Sequence, residues 1–260
     1  MWVFLFVTLT IKGSRIVNGV PATQEQGTHQ CSLHAEGWFG KSHICGCSLY
    51  GKNYAITAAH CTDGSQASKL EVRYNGLTLK SLAVINQVKE IRQHENYDTP
   101  TDSIDNDITV LVLTTDIVEV TGQVSKVTLA DTVPAVGADA HLTGWGNTKS
   151  GSGSSTPTVL QYQKLQIVSN EECEKIYNQL PQDYDFPPVT ARMLCARHAQ
   201  GSTGCYGDSG GPLLSGTPAK LVGVVSWGTP NCPTTTPNKN PNVYANVANL
   251  KAWLDTKLVN

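Results

Sequence analysis

All seven histidines of this 260-residue chain precede Ser209, and that order constrains the fold more than any other feature. Ser209 stands in Gly207-Asp-Ser-Gly-Gly211, a hydroxyl enclosed by glycines. The stretch also satisfies G-x-S-x-G, the pattern of the nucleophile elbow in α/β-hydrolases. A serine becomes a useful nucleophile at neutral pH only beside a base, usually a histidine oriented by a carboxylate. Unrelated folds thread these partners in different chain orders. The α/β-hydrolase order puts histidine last, but no histidine follows Ser209 and His198 is the final one. The order Asp, His, Ser fails with His60 as base, because the first aspartate is Asp63. What remains is His, Asp, Ser.

His60 is the best base. It lies in Ile56-Thr-Ala-Ala-His-Cys61, where small residues pack the approach and a neighbouring disulfide would anchor the ring. Asp107 heads the apolar run Asp107-Ile-Thr-Val-Leu-Val-Leu113, so its carboxylate is partly buried and still able to reach an imidazole. Asp105 and Asp102 are rival acids, set further from that run.

Asp107 to Leu113 reads as a buried strand, and Lys220 to Trp227 as another. Apolar segments elsewhere are short and broken by turn residues, a pattern that predicts barrels or a sandwich. Helical periodicity is confined to a stretch near Ser169 to Leu180 and to residues 247–258, where Val247, Leu250, Leu254 and Leu258 recur at helical spacing with Trp253. Ser150 to Thr158 reads as an exposed Gly/Ser/Thr loop. The opening MWVFLFVTLTI is too short for a bilayer span of about 20 residues. It fits the apolar core of a secretory signal, truncated or unusual because no Lys or Arg precedes it. A net charge of −2 without a basic run gives no footprint for nucleic acid. Eight cysteines, an even number, favour an oxidising, extracellular setting. They allow roughly a hundred pairings, so connectivity stays open on count alone.

Six segments together resemble the chymotrypsin–trypsin family of serine endopeptidases: Ile16-Val-Asn-Gly, Thr57-Ala-Ala-His-Cys, Asp105-Asn-Asp-Ile, Gly144-Trp-Gly, Gly207-Asp-Ser-Gly-Gly-Pro and Ser226-Trp-Gly. The resemblance runs from Ile16 to the C-terminal helix. It implies an all-β fold of two antiparallel six-stranded barrels with a C-terminal α-helix. The implied organisation is a signal and activation segment over 1–15 and a peptidase domain over 16–260. Within it lie a first barrel (16–120), a second (121–244) and the helix (245–260).

By the same resemblance, Ser209 attacks the peptide carbonyl, His60 moves the proton and Asp107 holds the imidazole. The N–H groups of Gly207 and Ser209 form the oxyanion hole. Cleavage between Arg15 and Ile16 frees an amine that pairs with Asp208, so the encoded chain is a zymogen. Cys45–Cys61, Cys173–Cys195 and Cys205–Cys232 are the family's pairs. Cys31 and Cys47 are left over, in two segments expected to form an antiparallel hairpin, where they would make a further bridge. Ala140 and Ser215 stand where another family pair is missing on both sides.

The substrate pocket falls on Thr203, Ser226, Trp227, Gly228 and Asn242. Thr203 replaces the aspartate that trypsin-like members use for Arg or Lys. Together with the open Gly228 it implies a chymotrypsin-like preference for large apolar or aromatic side chains. Asn242, where glycine is common, makes an elastase-like preference the alternative. Loss of catalysis, leaving a binding module, is the alternative of a different class. No cofactor and no metal site is implied, since the loop after Tyr74 lacks the paired carboxylates of a calcium site. The implied partners are protein or peptide substrates, an activating protease and protein protease inhibitors. Nucleic acid and membrane are not among them, and the chain is expected to be a secreted monomer.

Overall fold

A computed structural model describes residues 19–97, 104–146, 157–180, 186–198, 208–229 and 240–259. The first six long strands are β2 (Gln30–Gly37), β3 (Gly40–Tyr50), β4 (Tyr54–Thr57), β5 (Leu70–Tyr74), β6 (Val84–Gln93) and β7 (Thr109–Leu113). They close into an antiparallel barrel in the order β2-β3-β4-β7-β6-β5. The second set is β8 (Asp139–Gly144), β9 (Gln161–Val168), β10 (Met193–Arg197), β11 (Pro212–Ser215), β12 (Lys220–Trp227) and β13 (Asn242–Asn246). It runs β9-β10-β13-β12-β11-β8 and closes because β8 also pairs with β9. A short β1 (Val20–Pro21) adds to β9, opposite Tyr162 and Gln161.

The apolar runs without alternation are the strands covered on both faces. All five residues of β7 are buried, as are Leu221 to Ser226 in β12. Their two faces meet different neighbours, because one large apolar cluster crosses from barrel to barrel. It joins Leu33, Ile56 and Leu111 of the first to Leu214, Leu221 and Val224 of the second. The C-terminal helix α2 (Val247–Lys257) inserts Val247, Leu250 and Leu254 into the same cluster. Its first turn is capped by Asn246, whose side chain accepts from the Asn249 N–H at 3.4 Å.

The other helix, α1 (Asn170–Asn178), begins where Ser169 accepts from the Glu172 N–H at 3.1 Å. Ser followed three residues later by Glu is the capping-box spacing, which explains why a helix starts here in an otherwise strand-rich chain. The β2–β3 hairpin is antiparallel, with Cys31 opposite Cys47. Three disulfides lie among the described residues: Cys31–Cys47, Cys45–Cys61 and Cys173–Cys195, with Cα separations of 4.8, 6.2 and 6.3 Å. No helix among the described residues is long and apolar enough to cross a membrane.

Candidate active site

The loop after β4 carries His60, and Cys61 ties it to Cys45 of β3. The turn before β7 carries Asp107, which is 2% exposed. These two segments meet. The His60 ring Nδ1 lies 2.8 Å from Asp107 Oδ2, and the His60 backbone N–H donates to Oδ1 at 2.9 Å. From the second barrel, the Ser226 hydroxyl donates to Oδ2 at 2.5 Å. One carboxylate thus fixes a ring, a backbone and a strand end. Burial alone would lower the His60 pKa, but the hydrogen bond and negative charge of Asp107 outweigh it and hold the pKa above the ordinary histidine value. Of the rival acids, Asp105 is taken up by Arg192 and Thr190, and Asp102 lies outside the described residues.

Ser209 reaches this place through backbone contacts. Its carbonyl accepts from the Gly46 N–H at 2.8 Å, and the Gly46 carbonyl accepts from the Thr57 hydroxyl at 2.9 Å. Gly210 has φ +76°, and a β-carbon there would run into the Thr57 hydroxyl, the Gly46 carbonyl and the Ala58 N–H. The glycine therefore lets the serine turn lie directly against the segment that ends in His60. The turn is closed by Gly211 N–H to the Asp208 carbonyl at 2.9 Å and held to β12 by Gly210 N–H to the Val225 carbonyl at 2.8 Å.

Asp208 is fully buried. Its Oδ1 accepts from the Gly146 N–H at 2.8 Å, and its carboxylate fills the space that side chains at 144 and 146 would occupy. That gives Gly144-Trp-Gly146 a physical reason beyond its match to a family pattern. Trp145 between them is fully buried and donates from its indole to the Leu77 carbonyl at 3.0 Å. It also packs edge-on to His43, whose Nδ1 is 2.7 Å from the Ser32 hydroxyl.

On the pocket side, Ser226, Trp227, Gly228 and Asn242 lie on β12, just beyond it, and at the start of β13. Asn242 is buried, and its Oδ1 lies 3.3 Å from where a β-carbon on Gly228 would be. The amide therefore occupies the gap that a glycine at 242 would leave open. Trp227 is backed by Tyr177 at 4.8 Å and Phe186 at 6.3 Å between ring centroids, and the Tyr177 hydroxyl donates to the Pro241 carbonyl. These aromatics come from α1 and the segment after it. Arg15, Ile16, Thr203, Cys205, Gly207 and Cys232 lie outside the described residues. The sulfurs of Cys45 and Cys61 crowd His60, but they are bonded to each other and offer no thiolate to a metal.

Comparison with known proteins places this geometry among relatives. A family model described as Trypsin matches residues 16–254. Trypsin alpha of Drosophila melanogaster is 39% identical over 241 residues, spanning 92% of this chain and 86% of that protein. Trypsin alpha-4 of Lucilia cuprina is 37% identical over 241 residues, with the same two shares. Among solved structures, neuropsin, a serine protease expressed in the limbic system of mouse brain, superposes with a TM-score of 0.78 at 28% identity. That match covers 93% of this chain and 99% of neuropsin.

Proposed function

The chain belongs to the trypsin family and is a serine-type endopeptidase, and on that premise we propose that it works through an acyl-enzyme on Ser209, with His60 as base and Asp107 as its orienting acid. The observation that carries this reading is the Asp107 carboxylate, which accepts from the His60 backbone, the His60 ring and Ser226 together. With Nδ1–H committed to Asp107, Nε2, which lies 3.6 Å from the Cys61 sulfur, is the basic nitrogen. It takes the Ser209 proton during attack on the scissile carbonyl and returns it to the leaving amine, while Asp107 stabilises the imidazolium. The N–H groups of Gly207 and Ser209 receive the oxyanion, each contributing about 3 kcal/mol to lowering the barrier. Labelling by an organophosphonate tests this. The active enzyme should take up one equivalent on Ser209, and Ser209→Ala should take up none. A folded wild-type chain that has been cleaved after Arg15 and still takes up none is the outcome for a binding module.

We further propose a secreted zymogen activated by cleavage after Arg15. A carboxylate as buried as that of Asp208 is a strong acceptor for a cationic amine, and the new Ile16 terminus would supply one. Arg15→Gln should block activation by a trypsin-like protease, read by N-terminal sequencing and by the appearance of activity.

For specificity, we propose an apolar residue before the scissile bond. Thr203, six residues ahead of Ser209, is neutral and offers no counter-charge to Arg or Lys. The position of Asn242 against Gly228 favours medium-sized over large aromatic side chains, which gives the elastase-like reading its own support. A peptide panel read by mass spectrometry decides between them, and dominant cleavage after Lys or Arg sinks both.

A further inference from the structure

Two residues before Asp107, the chain makes a strained turn that the second barrel holds in place. Ile104 has φ +48° and Asn106 has φ +57°. The left-handed region is disfavoured for any residue with a β-carbon and most of all for a β-branched one. Asparagine tolerates it, but a position such as Ile104 costs about 1–3 kcal/mol and persists only where the surroundings over-determine it. Asp105 lies between these two residues and is 4% exposed. Its Oδ2 accepts from Arg192 Nε at 2.9 Å and also from Arg192 Nη2, and its Oδ1 accepts from the Thr190 hydroxyl at 2.9 Å and the Asn106 N–H at 2.9 Å. The Asn106 amide donates to the Asn96 carbonyl at 3.0 Å, and the Ile108 N–H donates back across Asp107 to the Asn106 carbonyl at 2.7 Å. Asp107 is thus the middle residue of a tight turn whose preceding anchor is the Asp105 carboxylate.

The groups gripping Asp105 are themselves fixed. Arg192 and Thr190 enter β10, which Cys195 ties to Cys173 of α1. The Arg192 carbonyl accepts from the Asn246 N–H at 2.8 Å, the Ala191 carbonyl from the Asn249 amide at 2.6 Å, and the Thr190 carbonyl from the Asn170 amide at 2.8 Å. The acid-bearing turn of the first barrel is therefore clamped to the rigid part of the second at Ser226 and again at Asp105.

We propose that Arg192 and Thr190 are positioning residues for the His60–Asp107 pair, acting through Asp105 and the turn it anchors. The inference rests on the assignment of His60, Asp107 and Ser209 made above. An Arg–carboxylate fork fixes direction as well as distance, and it acts here on the residue two before the acid.

Arg192→Gln separates positioning from plain electrostatics by sign. Removing a positive charge acts through space to raise the His60 pKa. Loosening Asp107 weakens the bond that raises it, and so lowers it. We expect kcat on a peptide amide to fall about tenfold, as sub-ångström misplacement does, with KM nearly unchanged. The acid limb of the kcat profile should move to lower pH, and Arg192→Lys should recover part of the loss. Thr190→Ala, which changes no charge, should lower kcat and move the limb the same way to a smaller extent, and it serves if the arginine variants do not fold. An acid limb that stays or rises, or an unchanged kcat, in the folded variants overturns the proposal. His60→Ala in the same assay tests the underlying assignment: full activity there refutes that assignment, whereas its loss with an unmoved Arg192→Gln refutes only the clamp.

Discussion

At the scale of single residues, the site rests on a carboxylate that does more than one thing. Asp107→Asn keeps the shape but turns an acceptor toward His60 into a potential donor. We expect kcat to fall about 10⁴-fold, the loss typical of this change in serine-protease triads, with the fold intact by circular dichroism. The pH dependence follows from the raised His60 pKa. As the proposed base, His60 must be neutral to act, so activity should rise with pH through that value, and the acid limb of kcat/KM should lie above the 6.5 of an unperturbed histidine. Gly210→Ala is a second test. A β-carbon there meets the Thr57 hydroxyl and the Gly46 carbonyl at a φ that alanine disfavours. The melting temperature should drop by several degrees, and activity by more than about 100-fold as the serine turn is displaced. His60, Asp107 and Ser209 could be proposed from sequence because each sits in a local pattern with its own reason to exist. The Ser226 hydroxyl on Asp107 was not. Its partner is 119 positions away, and only docking of the barrels creates the contact.

Among the elements, legibility followed burial. Lys220 to Trp227 and Thr109 to Leu113 are strands because apolar runs covered on both faces leave few alternatives. The C-terminal helix, Val247–Lys257, was visible in its one buried stripe. β9 was harder to see. Gln161 and Gln163 are buried at its start, where an alternating pattern would place apolar residues, and the buried apolar residues Leu165, Ile167 and Val168 come only in its second half. The register of β8 against β11 sets Ala140 directly opposite Ser215, both buried, at the place where the family resemblance implies a missing bridge. Cys31 and Cys47 face each other in the same way across β2 and β3. The double variant Ala140→Cys/Ser215→Cys should therefore oxidise spontaneously. It should stabilise the second barrel by about 2–4 kcal/mol, read as a rise in melting temperature that dithiothreitol reverses.

For the molecule as a whole, acid is the revealing stress. His29 is buried and its pKa is lowered to about 4, first by desolvation and then by the charge of His141. His34 is lowered to about 4 by desolvation, with Arg73 and His43 adding to it against Glu71 and the Lys41 carbonyl. A histidine with a depressed folded pKa contributes stability that is complete above the unfolded value and lost as pH falls through the folded one. Stability should decline from about pH 6.5 to pH 4, by up to about 3 kcal/mol for His29 alone. His60, with its raised pKa, works in the opposite direction and offsets part of the loss. Urea melts at pH 7 and pH 4.5 should show the difference, and His29→Gln should flatten it. The low pKa values of Asp105 and Glu71, each held down by hydrogen bonds from a basic partner that outweigh burial, keep those pairs intact across this window.

The described disulfides each close within one barrel, while His60 and Asp107, the proposed base and acid, sit on the first and Ser209, the proposed nucleophile, on the second. The chain between the barrels passes through an exposed stretch, Asp131 to Gly137. Seen as a circuit, the molecule is an AND gate: neither half holds a complete set of reacting groups, and each is stapled independently of the other. Divided in that stretch and fused to two proteins that associate, the halves should give proteolysis only when the fusion partners meet.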